Sequence, residues 1–106
     1  MYNMYHKNGV IVTPNVIADG DNVTVTYKGL LYNSGANHVY MHVGYGDNWD
    51  NVSDIKMEKT SNGFVAKIPV KGHEQLNMAF KDCAGNWDNN SGRNYRFEVQ
   101  ANMKRS

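Results

Sequence analysis

Apolar and polar residues alternate one for one in segment after segment of this chain, and a period of two admits little besides β-strands. In "NVTVTYK", Val23, Val25 and Tyr27 share one face of an extended backbone while Thr24 and Thr26 share the other. The same alternation groups Val39, Met41 and Val43, then Leu76, Met78 and Phe80, then Tyr95, Phe97 and Val99. Nowhere is the spacing of an amphipathic helix sustained. One face of each strand is therefore core and the other wet, as in antiparallel sheets with one side solvated.

Seven strands are predicted, near Val10–Thr13, Asn22–Lys28, His38–Tyr45, Asp54–Thr60, Gly63–Pro69, Gln75–Asp82 and Asn94–Gln100. Between two of them, Ser61-Asn62-Gly63 reads as a hairpin with a type I′ turn, because Asn and Gly tolerate positive φ. Short strands and frequent turns over 106 residues fit an all-β fold, an immunoglobulin-like antiparallel β-sandwich of about seven strands, although a small barrel leaves a similar pattern. With 41% hydrophobic residues the chain has material for one core, so residues 1–106 are read as a single domain. No internal repeat, linker or low-complexity tract interrupts it.

The formal net charge is +1, and basic residues cluster only at Lys104-Arg105. That excludes the electrostatic footprint of a nucleic-acid or anionic-membrane partner. Cys83 is the only cysteine, so no internal disulfide is possible; it reads as a packing residue or an inert thiol, and no metal-ligand spacing surrounds it. The opening "MYNMYHKNGVIV" has no apolar run suited to a signal peptide or a membrane span. A stand-alone chain would then be cytoplasmic, and a fragment of a secreted enzyme extracellular.

The two tryptophans, Trp49 in "GYGDNWDN" and Trp87 in "KDCAGNWDNNSGRNY", both stand among Gly, Asp and Asn, where nothing nearby in sequence buries them. Each taken singly fits a plug folded over the core edge. Two in matching surroundings favour a recognition surface, since an indole offers a large rigid apolar face at low entropic cost. His42 alternates against Val39, Met41 and Val43, so it points outward with Tyr40, either as a contact surface or as an ordinary solvated face. Tyr40 and Tyr45 are the aromatic candidates for the flank. A pyranose ring has an apolar C–H face and a hydroxyl rim. It is met by flat aromatics below and by donors and acceptors at the edge, which Asn86, Asp88, Asn89 and Asn90 can supply. The same residue types are also simply good turn formers.

The run "AFKDCAGNWDNNSGRNY", with "VTVTYKG", "VYMHVGYGDNW" and "IKM" ahead of it in order, resembles the family 25 carbohydrate-binding modules. These are starch-binding modules of bacterial amylases, related to modules of plant starch synthases. The resemblance spans about Asp21 to Val99, leaving residues 1–20 as a lead-in with an added strand and 101–106 as a tail. It implies a non-catalytic β-sandwich that binds α-1,4-glucan (starch, glycogen or maltooligosaccharides) through His42, Trp49 and Trp87; stacking and amide contacts need no ion, so no cofactor or metal is expected at the site. It also implies a partner enzyme, an amylase or a glucan synthase, to which the module is appended or with which it cooperates.

Three other readings use the same residues. Asp82 and Asp88 would be an acid and base pair in a glycosidase, but so short a chain leaves little material for a cleft. Calcium suits the oxygen-rich "DCAGNWDNN", although the spacing is not that of an EF-hand, and an ion there would be structural. An immunoglobulin-like spacer or protein-interaction module would put the aromatics against a protein.

Overall fold

The structure is a computed structural model that describes residues 8–14, 17–46, 49–70, 75–90 and 92–100. The predicted strands form, with revised ends and additions. They are β1 (Val10–Thr13), β2 (Ile17–Ala18), β3 (Asn22–Tyr27), β4 (Val39–Tyr45) and β5 (Asp50–Lys56). After them come β6 (Glu58–Thr60), β7 (Gly63–Pro69), β8 (Gln75–Asp82), β9 (Trp87–Asp88) and β10 (Tyr95–Gln100), with a one-turn helix α1 (Leu30–Asn33) between β3 and β4.

One sheet has the order β1-β3-β7-β6; the other runs β2-β10-β8-β4-β5, with β9 also paired to β8. Every residue assigned above to the core by alternation is buried, from Val23, Val25 and Tyr27 in the first sheet to Met41, Phe80 and Tyr95 in the second. Full burial of an aliphatic or aromatic side chain contributes about 1.5–3 kcal/mol, so this stack holds without a disulfide. Cys83 is in fact exposed, which removes the packing role.

Four differences from the sequence expectation have physical causes. The expected strand Asp54–Thr60 is two strands in different sheets: the chain crosses at buried Met57, whose N–H donates to Val39 at 2.9 Å, a corner of the kind that joins packed sheets. At the 61–62 hairpin the pairing is as expected, Thr60 opposite Gly63. The positive φ falls on Gly63, at 115°, so the turn is not type I′. The lead-in edges both sheets, β1 against β3 and β2 against β10. The β2–β10 pair is parallel, so the sandwich is mixed at that edge. α1 escapes periodicity because it is a single turn; its Leu31 is buried.

Beneath α1 and β9 lies a polar knot. The Tyr27 hydroxyl donates to Asp88 Oδ2 at 2.6 Å and accepts the Leu31 N–H at 3.0 Å. The Tyr95 hydroxyl donates to Asp88 Oδ1 at 2.8 Å. A carboxylate in an apolar interior is tolerated only when its oxygens are bonded in this way. Burial, reinforced by the Asp88 bond, pushes the Tyr27 phenol well up.

Candidate functional site

Strand pairing assembles the site on the outer face of the second sheet. His42 on β4 stands opposite Asp54 of β5 and Ala79 of β8, and Trp87 on β9 stands opposite Lys81 of β8. The row from β5 to β9 therefore crosses the strands. His42 is its centre: the Trp49 ring lies 5.6 Å away and inclined by only 29°, whereas the Trp87 ring lies 5.4 Å away at 89°. The two indoles are thus steeply inclined to each other across one imidazole.

Trp49 is half-buried and held by backbone geometry. Its φ is 54°, a left-handed conformation that costs a bulky residue on the order of 1–3 kcal/mol and persists only where the surrounding structure over-determines it. Between the pairs Val43–Ser53 and Tyr45–Asp50, β5 carries one residue more than β4, a bulge of the sort that re-aims side chains beside binding sites. Gly44 supplies the seat. A Cβ there would come within 2.6 Å of Trp49 Cε3.

Trp87 is held by period two instead. On β9 it turns outward, 45% exposed, while its neighbour Asp88 turns into the core. The Lys81 ammonium lies 5.3 Å from its ring, a cation–π distance.

Asp54 and Lys81, which the sequence reading passed over, complete the surface. Asp54 Oδ1 is 2.6 Å from His42 Nδ1 and its Oδ2 accepts from Lys81 Nζ at 2.7 Å. Those bonds, Lys81 first and His42 second, hold the Asp54 carboxyl below the usual range. With Nδ1 so engaged, the other ring nitrogen of His42 is left for a ligand. Sequence hid Asp54 because only the β4–β5 register reveals its partner.

The remaining candidates divide. Tyr40 is on the His42 face and lines a groove of about 600 Å³ with Asp54, Lys56, Lys81 and Trp87. Tyr45 is not on this surface: alternation along β4 packs it against the core, and its hydroxyl donates to the Pro69 carbonyl at 3.2 Å. Burial raises its phenol pKa. Asp88 is likewise a framework residue, since both of its oxygens are taken by buried tyrosines. Asn86 donates its amide to Asp82 Oδ2, Asn89 accepts from the Gly92 N–H, and Asn90 donates to the Asn94 carbonyl. Each keeps one end of its amide unbonded among the described residues. The Asn86 bonds, side chain first and backbone second, also hold Asp82 below the usual carboxylate range. Asp82 caps its own turn and Asp88 is buried, so the two do not form a catalytic pair. Among the described residues no three His, Cys, Asp or Glu side chains gather as a metal site.

Comparison with known proteins identifies the kind of module. The chain is 38% identical over 82 residues to an alpha-amylase of Clostridium acetobutylicum, covering 76% of this chain and 10% of that protein. It is 34% identical over 94 residues to a beta-amylase of Niallia circulans, 86% of this chain and 16% of that protein. A beta/alpha-amylase of Paenibacillus polymyxa is 36% identical over 83 residues, 76% of this chain and 6% of that protein. The chain thus spans only a small part of the relatives it matches. The family model of the starch/carbohydrate-binding module, family 53, matches residues 23–80. That corrects the family number expected from the sequence while keeping the starch-binding kind; the loop that carried the family 25 resemblance lies mostly beyond the matched span. The chain belongs to family 53 of the starch/carbohydrate-binding modules, binding modules rather than catalytic domains.

Proposed function

We propose that Trp49, His42 and Trp87 form one platform for an α-1,4-linked glucan, each indole taking the C–H face of a glucose unit. The observation that carries this reading is the steep mutual inclination of the two indoles about His42. Successive units of a helically curved α-glucan present their faces at an angle, whereas flat cellulose presents them in parallel. The free nitrogen of His42, the Lys81 ammonium and the unbonded amide end of Asn86 supply partners for the hydroxyl rim on the platform.

Stacking that removes roughly 150 Å² of apolar surface from water at about 25 cal/mol/Å² contributes on the order of 4 kcal/mol. With ordering costs subtracted and a few hydrogen bonds added, the dissociation constant for maltooligosaccharides falls between roughly 1 μM and 1 mM. In a longer protein the module would hold an amylase of the relatives' kind against its polymer, raising the local substrate concentration. Affinity electrophoresis against soluble starch, glycogen, hydroxyethyl cellulose and xylan tests the reading. Retardation by the first two alone is expected; equal retardation by cellulose, or none by starch, would refute it.

A further inference from the structure

A second groove, of about 600 Å³, also borders Trp87 but not His42, and is lined by Lys28, Leu30, Asn33, Trp87, Asn89 and Asn90 among others. Its volume is in the range of small-molecule sites. One wall is α1 and the residues leading into it; the other is β9 and its following turn. The two walls are tied together from below, because the single Tyr27 hydroxyl bonds both Leu31 of α1 and Asp88 of β9. The groove is therefore preformed, not a gap between independently moving loops.

Its surface has the two halves that a pyranose needs. Leu30, 59% exposed, and Trp87, 45% exposed, are two of the three large hydrophobics exposed among the described residues, and both line this one groove. Polar groups flank them: Lys28, whose ammonium lies 5.5 Å from the neighbouring Tyr32 ring, the Asn33 side chain, which has no hydrogen bond among the described residues, and the amide ends of Asn89 and Asn90 that the turn leaves over. The groove is continuous with the platform through Trp87, which lines both this groove and the one shared by Tyr40, Asp54 and Lys81.

We infer that this groove is an additional subsite for the same glucan chain, so that a chain leaving Trp87 places its next glucose between Leu30 and the Asn89–Asn90 turn. The inference rests on the platform reading and extends it. The module then discriminates by chain length: a short oligosaccharide fills the tryptophan pair, and a longer one also fills the groove.

Leu30→Ser and Asn33→Ala test this, since both residues are exposed and neither change opens a core cavity. Amide NMR titrations of the 106-residue chain with maltotriose and with maltoheptaose give affinity and location together. Each variant is expected to bind maltoheptaose about fivefold more weakly while binding maltotriose within about twofold of wild type. Amide signals near Leu30 and Asn33 should move with the long sugar and not with the short one. Retention of maltoheptaose affinity in either variant, or an equal loss for the two sugars, overturns the subsite and leaves the platform standing. Failure of the wild-type protein to bind either sugar overturns the platform itself, and the subsite with it.

Discussion

Trp49 and Trp87 each follow an Asn and precede an Asp in a polar turn, yet different physics holds them in place. Trp49 is half-buried, seated where Gly44 lacks a side chain, in a backbone conformation that tryptophan rarely adopts. Trp87 sits on relaxed strand backbone at the edge of the sheet, 45% exposed, and owes its position to the residue after it, which is locked into the core. The difference separates two ways of making a rigid apolar surface. One spends local strain on it; the other anchors it to a buried polar knot.

The largest expected effect lies in that knot. Asp88→Ala leaves two buried tyrosine hydroxyls without their acceptor and should cost about 3 kcal/mol of stability in urea melts, with glucan binding lost along with the position of β9. If stability were unchanged and only binding fell, Asp88 would be a ligand contact after all.

Next come the tryptophans themselves. Trp87→Ala should weaken maltooligosaccharide binding at least about tenfold, roughly 1.4 kcal/mol, while stability stays within about 1 kcal/mol. Trp49→Ala should weaken binding comparably but shift the urea midpoint further, because part of its ring is packed. Identical stability effects for the two variants would erase the contrast drawn above. A more selective probe is Gly44→Ala, whose Cβ displaces the Trp49 ring from a contact of 2.6 Å. Affinity should drop about fivefold, with no change at the Trp87 side of the site in NMR spectra.

The smallest effect concerns acid. The folded state holds the Asp54 carboxyl below its ordinary pKa, so Asp54 stabilises the protein above the unfolded value and loses that contribution only as pH falls through the lower folded value. The group is exposed, so the contribution is below about 1 kcal/mol. The stability difference between wild type and Asp54→Asn should therefore be constant from neutrality down to the ordinary carboxylate range and shrink below it. A difference that vanished between pH 7 and 5 would show that Asp54 does not hold His42 and Lys81 in solution.

The core was readable from period two because alternation is enforced by the backbone: Val39, Met41 and Val43 must face away from Tyr40 and His42 wherever β4 is placed. The same rule, applied to shorter runs, already separates Asp88 from Trp87 and Tyr45 from His42, and the corrections to the candidate site follow from it. Asp54 and Lys81 had no such signal. Their roles depend on which strands become neighbours and in what register, and pairing between segments distant in sequence leaves no local pattern.

Alternation and turn chemistry by themselves determined that this chain forms half-wet strands around one shared core, with two tryptophans in polar turns; that the strands stack as two sheets and do not close as a barrel came from the structure. Only the tertiary structure decided that the tryptophans meet across His42, that Met57 carries the chain from one sheet to the other, and that Tyr27 ties α1 to β9. The physical reason is that side-chain direction is a property of the local backbone, whereas the meeting of distant strands is settled by burial and hydrogen bonding summed over the whole chain.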